Sequence, residues 1–208
     1  MLPRLPSGLL PAEVPNGMLF EQALEACSHR HGRASADVLR LLEEGDRQMH
    51  STFRYGLAKG LSSYLASLGS IFLEVYVYGS SIKEAANPAS DIDVIVVVER
   101  RRDEVMNLLK RLDHSLTAHY RQLVGLERDP ISLLDIHVID RKEQTDQSGY
   151  GAVIQGIHTR PICLWRSDTA NLGAHRKVGP QRLLHAYSPV VVKSEASMVG
   201  GIQLSFEP

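Results

Sequence analysis

The sequence predicts an α+β domain in which a small mixed β-sheet is covered by helices on one side. Apolar residues recur at helical spacing over residues 36–68 and again over 103–124. Short runs rich in β-branched residues occupy 71–78, 91–98 and 131–139, on either side of the second helical segment. Helices that precede a few strands, with one further helix between strands, are typical of a layered α+β fold.

The N-terminal helices come first along the chain. Residues 1–17 are rich in Pro and Gly and predict an irregular arm, and a short helix is expected from Met18 to about Cys27. The long helical pattern begins at Ala36, and Gly69 is expected to end it. Three glycines lie inside this pattern and argue against one unbroken helix, because glycine is a weak helix former: Gly45, Gly56 and Gly60.

Four strands are predicted after these helices. The first, Ile71–Tyr78, ends at a glycine, and residues 80–86 then have the pattern of one or two helical turns. Asp91–Val98 is the second strand, Ile131–Ile139 the third and Pro161–Trp165 the fourth. The helical segment 103–124 joins the second strand to the third.

The pattern divides the chain into three parts. Residues 1–35 are interpreted as an N-terminal arm with a short helix, and 36–166 as the domain that carries the chemistry. Residues 167–208 are interpreted as a partly irregular C-terminal extension, in which Pro189–Lys193 could form an edge strand and the last dozen residues look flexible.

Composition excludes several classes of partner. The chain has 23 Lys and Arg against 24 Asp and Glu, so no overall field attracts nucleic acid, and a nucleic-acid substrate is not expected. No apolar run approaches the roughly 20 residues that span a bilayer, so no membrane partner is expected either. With two cysteines and no signal-peptide pattern, the sequence is interpreted as a cytoplasmic protein, for which a homo-oligomer stays open.

Gly79 and Ser80 form a candidate phosphate site. They lie where a predicted strand ends and a helical turn begins, and glycine permits both a sharp turn and close approach of a ligand. Free backbone N–H groups at a helix start bind anions, and the Ser80 hydroxyl adds a donor. Ser81 and Lys83 follow on the same turn. The alternative is an ordinary turn with a serine cap.

Asp91 and Asp93 are candidate metal ligands. Residues two apart on a strand share a face, so both carboxylates project together, while Ile92 and Val94 project from the other face. Two adjacent carboxylates repel each other and resist desolvation, and a divalent cation such as Mg²⁺ relieves both effects. The alternative is a pair of solvated acids at an exposed strand start.

Asp135 is the candidate third carboxylate, because it stands among apolar residues of the third predicted strand. If this strand lies beside the second, three carboxylates converge and suit a site for two Mg²⁺ ions. Asp135 could also help to deprotonate an attacking hydroxyl. The alternative is a carboxylate paired with Arg or Lys. His137 shares the Asp135 face and could hydrogen-bond a metal ligand.

These residues together resemble the nucleotidyltransferase superfamily of DNA polymerase beta. The likeness consists of Gly79-Ser80, ten further residues, Asp91-Ile92-Asp93 and a later apolar–Asp–apolar strand, and it covers roughly Gly56 to Trp165. It is strongest to minimal members, which include antitoxin and aminoglycoside-type nucleotidyltransferases. The resemblance implies that Ser80 contacts nucleotide phosphates and that Asp91, Asp93 and Asp135 bind the metals. Where minimal members carry Arg-x-Arg-Gly after Gly-Ser, this chain has Ser81-Ile82-Lys83-Glu84, and only Lys83 keeps a positive charge.

The expected activity is metal-dependent transfer of a nucleoside monophosphate from a nucleoside triphosphate to a hydroxyl acceptor, with release of pyrophosphate. By the resemblance, the donor is expected to be ATP and the acceptor a protein side chain or a small molecule. Two alternatives stay open. One is a non-catalytic, antitoxin-like binding module on the same fold. The other is an aminoglycoside-like modifier, for which an acidic pocket is needed, with Glu43, Glu44 and Asp46 as candidates.

Overall fold

Four strands form one mixed sheet in the computed structural model, which describes residues 16–156 and 160–168. The strands are β1 (Phe72–Tyr78), β2 (Ile92–Val98), β3 (Leu134–Asp140) and β4 (Ile162–Arg166). Their order across the sheet is β3-β2-β1-β4. β1 pairs antiparallel with β2 and with β4, and β2 pairs parallel with β3. The mixed sheet expected from the sequence is therefore confirmed.

Six helices accompany the sheet in the described part of the chain. They are α1 (Asn16–His31), α2 (Ser35–Glu43), α3 (Arg47–Ser67), α4 (Asp103–Val124), α5 (Arg141–Asp146) and α6 (Tyr150–Ile154). A 3₁₀ turn, Gly79–Ile82, follows β1. α4, which matches the predicted helical segment 103–124, is the crossover between the parallel strands β2 and β3.

The main hydrophobic core lies between the sheet and the longer helices. On β2 the alternate residues Ile92, Val94, Val96 and Val98 are buried in it, as expected for one face of a strand. Helices α1 to α4 cover this face with a set of buried side chains that includes Phe20, Phe53, Leu57, Leu112 and Tyr120. A smaller cluster on the opposite face holds Ile95, Val97 and Ile139 under α6. The larger core confirms the fold class, with most helices on one side of the sheet.

The long helical segment before the sheet divides at Gly45, whose φ of +81° cannot be accommodated inside a helix. Asp46 then starts α3 by accepting a hydrogen bond from the Met49 N–H at 2.8 Å. Gly56 and Gly60 do not interrupt α3. They lie against α1, where a Cβ at Gly56 would stand 3.1 Å from the Ala23 Cα. Of the three glycines in this segment, only Gly45 therefore interrupts the helix.

Other boundaries also differ from those predicted, and one helix was not predicted. The first helix extends beyond the expected Met18–Cys27 at both ends, from Asn16 to His31. The third strand begins at Leu134 rather than Ile131, which is highly exposed. The turns expected over 80–86 reduce to the single 3₁₀ turn. α5 was not predicted, although Asp140 and Glu143 form a capping box that signals a helix start.

The irregular arm was predicted over 1–17, but residues 16 and 17 belong to α1. Its remaining residues 1–15, the predicted edge strand Pro189–Lys193 and the predicted flexible end of the chain lie outside the described residues. The division at residues 35 and 166 stays a prediction, and α1 shares the main core with α3. No helix in the described part of the chain is long and apolar enough to cross a membrane.

Candidate active site

The three candidate carboxylates lie near one end of the sheet, where β1 ends and β2 and β3 begin. In the β2–β3 ladder Asp93 is directly opposite Asp135, and in the β1–β2 ladder it is opposite Tyr78. Asp91 immediately precedes β2 and is exposed, whereas Asp93 and Asp135 are partly buried. Because the two ladders are in register, carboxylates 42 positions apart in the sequence become neighbours.

The charges of these carboxylates act on one another. The pKa of Asp93 is raised above its usual value, first by burial and then by the negative charges of Asp91 and Asp135. Its own backbone N–H and His137 act in the opposite direction. A carboxylate with a raised pKa is destabilised when ionised, and a nearby cation would relieve this cost.

Gly79 is in direct contact with Asp93. Its φ of +72° is in the left-handed region, and a Cβ at this position would overlap the Asp93 carboxylate at Oδ2. The sequence suggested that glycine here would let a ligand approach closely. The structure shows that it also makes room for a carboxylate, and so connects the glycine turn to the second Asp of the Asp-x-Asp pair.

An aromatic wall stands beside Asp135, formed by Tyr78, His137 and Tyr150. The His137 Nε2–H donates to Asp135 Oδ2 at 3.1 Å, and the His137 ring stacks on Tyr150 with centroids 3.5 Å apart. The Tyr78 ring is 6.4 Å from that of His137. The pKa of Tyr78 is raised by burial first and then by Asp93, Tyr150 and Asp135, so this phenol shares the space of the carboxylates.

The residues predicted to bind phosphate have different environments. Ser80 Oγ and Ser81 Oγ are both buried and have no hydrogen-bond partner in the described structure. Ser81 lines a cavity of about 240 Å³ together with Ser51 and Thr52, and none of the three carboxylates lines it. Lys83 is exposed. Because the 3₁₀ turn has only four residues, it offers free N–H groups but little of a helix dipole.

The donor set suits a divalent cation by its chemistry. Mg²⁺ in proteins is bound by oxygen ligands such as clustered carboxylates, whose charges repel one another until the cation binds. The hydrogen bond from His137 to Asp135 is of the kind that orients a metal-binding carboxylate from outside the metal's own ligands. Within residues 16–156 and 160–168, no three His, Cys, Asp or Glu side chains are already gathered closely enough to hold a metal ion. The fit therefore rests on the ligand type and on the shared electrostatics of the three acids.

Sequence reasoning missed two participants. Tyr150 reaches the site only because α6 folds back over β3, and no local pattern signals this. Arg54 on α3 contacts the loop that leads to Asp91 and is completely buried. A signal for Arg54 exists, because it stands next to Phe53 within the apolar pattern of α3, on a stretch with other buried residues.

The acids considered for a cationic acceptor serve the local structure. Glu44 pairs with Arg40 at 2.7 Å on the surface, and Asp46 is the N-cap of α3. Glu43 is exposed at the end of α2. Glu44 and Asp46 therefore have structural roles that do not require a cationic acceptor.

Comparison with known families bears on the whole site. A family model described as polymerase beta, nucleotidyltransferase matches residues 61–144, a span that includes the glycine turn and all three carboxylates. The resemblance found in the sequence is confirmed over this narrower range. No curated protein and no solved structure is significantly similar to the chain.

Proposed function

We propose that this protein transfers a nucleoside monophosphate from a nucleoside triphosphate to a hydroxyl acceptor, and the match of residues 61–144 to the family described as polymerase beta, nucleotidyltransferase supports this. ATP is the proposed donor, and a protein side chain or a small molecule is the proposed acceptor. The observation that carries the proposal is the pairing of Asp93 with Asp135 on adjacent strands, with Asp91 two residues away and Gly79 against Asp93.

The glycine turn would bind the phosphates. Ser80 Oγ is a buried hydroxyl without a partner, and a phosphate oxygen would satisfy it. Backbone N–H groups of the 3₁₀ turn would add further donors, and Lys83 a mobile positive charge. Hydroxyl and amide donors orient the triphosphate without adding a fixed positive charge, so neutralisation of the phosphates depends on the cations.

Asp91, Asp93 and Asp135 would hold two Mg²⁺ ions, which when bound supply positive charge to the phosphates and lower the barrier to displacement. In the proposed reaction the acceptor oxygen forms a bond to the α-phosphorus, and the bond from that phosphorus to pyrophosphate breaks. Asp135 would accept the acceptor proton. His137 orients Asp135 through the 3.1 Å hydrogen bond and keeps one oxygen of the carboxylate engaged.

A non-catalytic binding module on the same fold is the second candidate. It is favoured by the absence, among the described residues, of a ready-made group of three metal-ligating side chains. A protein that only binds a partner would not need its carboxylates to be close together, so their substitution separates the two functions.

The double substitution Asp91→Asn and Asp93→Asn tests the proposal. Asn keeps the size of Asp and removes two charges, so we expect nucleotidyl transfer to fall by several orders of magnitude. Stability without metal should stay level or rise, because repelling carboxylates are removed. The measurement is label transfer from each radiolabelled NTP with Mg²⁺ and a cell lysate as the acceptor source, together with thermal melting.

Glu21→Gln with Glu25→Gln is the matched control, since it removes two exposed acids from α1, far along the chain from the carboxylates. The control should transfer label like the unaltered protein. Transfer that survives in the Asp91/Asp93 variant, or an unaltered protein that labels nothing with any NTP, would contradict the enzymatic proposal and favour the binding module.

A further inference from the structure

Arg54 is a completely buried cation that holds the loop in front of Asp91. Its Nη2 donates to the Ser90 carbonyl at 2.9 Å and to the Pro88 carbonyl at 3.1 Å. Its Nε also donates to the Ser90 carbonyl, at 3.2 Å. The planar guanidinium can satisfy two carbonyls of one loop at once, which the ammonium of a lysine cannot do with the same geometry.

The other side of the guanidinium is held by α3 and α4. Arg54 Nη1 donates to His50 Nδ1 at 2.9 Å, and Nη2 also donates to the Tyr120 hydroxyl at 2.9 Å. His50 Nε2–H donates to the Leu42 carbonyl at 2.9 Å, so Nδ1 is the nitrogen that carries a free lone pair. The cation is also 5.0 Å from the centre of the Tyr120 ring. Its position is therefore determined from both sides.

This charge has no carboxylate in contact with it. None of the ion pairs among the described residues includes Arg54, and its hydrogen-bond partners are neutral. Burial lowers the pKa of Arg54, while Asp91 is the carboxylate whose charge raises it. Desolvating an unpaired cation is costly, and an apolar side chain would fill the same space at lower cost. The hydrogen bonds that the guanidinium donates to the Pro88 and Ser90 carbonyls offset part of this cost.

The loop between the 3₁₀ turn and β2 has other anchors besides Arg54, among them the Tyr120 hydroxyl, which donates to the Pro88 carbonyl at 3.3 Å. The Ala86 N–H donates to Ser51 Oγ at 3.1 Å, and Asn87 and Ser90 hydrogen-bond each other within the loop. After Asp91, the Ile92 N–H donates to the Leu133 carbonyl at 2.8 Å and β2 begins. Asp91 is exposed between these points, so the Ser90 carbonyl held by Arg54 is its nearest anchor on the N-terminal side.

We infer that Arg54 is a positioning residue, which fixes the loop over 86–90 from behind so that Asp91 is presented beside Asp93 for a divalent cation. The inference rests on the proposed function, in that the cation is the one the nucleotidyl transfer would use. In the proposed role Arg54 contacts neither nucleotide nor metal and acts through the backbone carbonyls of Pro88 and Ser90.

Arg54→Lys is the test, because it keeps a positive charge and removes the two-carbonyl clamp. Arg40→Lys, the same change at an exposed surface ion pair, is the matched control. Three quantities are measured: hydrogen exchange of the amides over 86–91, affinity for Mn²⁺ as a paramagnetic substitute for Mg²⁺, and the Mg²⁺ concentration that gives half-maximal transfer.

We expect Arg54→Lys to speed exchange of the loop amides at least tenfold, while the amides of β2 exchange as before. Mn²⁺ affinity should fall about tenfold, and transfer should recover at high Mg²⁺, since a loosened ligand can be compensated by mass action. Arg40→Lys should change none of these. A purely structural role would lower melting temperature without changing the Mg²⁺ dependence, and that result would overturn the inference.

Tyr120→Phe covers the case in which Arg54→Lys does not fold. It removes the hydroxyl that accepts from the guanidinium and that also donates to the Pro88 carbonyl at 3.3 Å, and smaller shifts in the same direction are expected for loop exchange and Mn²⁺ affinity. If the unaltered protein binds Mn²⁺ but transfers no nucleotide, the proposed function fails while the positioning role stands. If Mn²⁺ binding is absent, or is equal in both variants and the unaltered protein, the positioning role is wrong.

Discussion

At the scale of single residues, Gly79 connects the end of β1 to the carboxylate of Asp93. Two properties of this position require glycine, namely the positive φ and the Asp93 oxygen that occupies the place of a Cβ. Gly125 shares the first property and lacks the second, since its φ is +69° and no atom lies within 4 Å of its would-be Cβ. A comparison of substitutions at Gly125 and Gly79 therefore distinguishes the cost of backbone strain from the cost of displacing Asp93.

We expect Gly125→Ala to cost about 1–2 kcal/mol of stability, the price of a left-handed alanine. Gly79→Ala should cost roughly 1–3 kcal/mol more, because the methyl group also displaces Asp93. Denaturant unfolding of both variants measures this difference, and adding Asp93→Ala to Gly79→Ala should remove most of the excess. Equal losses in the two single variants would show that Asp93 is not held against Gly79.

At the scale of helices and strands, the close approach of α1 to α3 depends on small residues. A Cβ at Gly56 would be 3.1 Å from the Ala23 Cα, and one at Gly60 would be 3.1 Å from Leu19 Cδ2. The first contact is with the backbone of Ala23, which cannot move easily, whereas the second is with the end of the Leu19 side chain, which can rotate away. The Gly56 contact is the stiffer one, because Ala23 is buried and its backbone belongs to α1.

Gly56→Val should destabilise the protein by about 1–3 kcal/mol through overpacking, although valine is the better helix former. Ser63→Val places the same side chain on the exposed face of α3 and should be nearly neutral. The comparison is made by denaturant unfolding. Unchanged stability in Gly56→Val would mean that α1 does not pack on α3 in solution.

At the scale of the whole molecule, His50 links α2, α3 and α4 from inside the core. It bonds the Leu42 carbonyl, Arg54 and the Tyr120 hydroxyl, which lies 3.1 Å from its Nδ1. Burial first, and the Arg54 charge second, lower the pKa of His50 from 6.5 to about 4. Neutral His50 is therefore part of the native hydrogen-bond network, and its protonation would disrupt contacts among three helices.

Stability should consequently depend on pH between about 4 and 6.5. In this range the unfolded chain binds a proton at His50 and the folded chain does not, so the free energy of unfolding rises with pH. The contribution is fully present above pH 6.5 and is lost as pH falls to 4, with a total of up to about 3 kcal/mol. Unfolding measured at several pH values should show this loss relative to His50→Gln. Parallel curves for the two proteins would contradict the lowered pKa.

Periodicity made most of the elements predictable from the sequence. The alternation over 91–98 predicted that Asp91 and Asp93 share a face and that Ile92, Val94 and Val96 project from the other, because two residues per repeat is a property of the strand backbone, and these three residues do lie in the main core. The helical spacing over 103–124 predicted α4 with its bounds, and Gly125 ends that helix in the left-handed conformation. The Gly-Ser and Asp-x-Asp spacing indicated a resemblance to this superfamily, and the family model matches residues 61–144.

The sequence by itself thus determined most of the local conformations and the buried face of β2, because both depend on neighbours within a few residues. Only the tertiary structure decided that Asp135 lies beside Asp93, that Arg54 holds the loop before Asp91 and that Tyr150 stacks on His137. Each of these contacts joins segments that are far apart in the chain, and local periodicity does not indicate which distant segments meet. They arise because strand order and helix packing are chosen by the burial of the whole apolar core, to which distant residues contribute together.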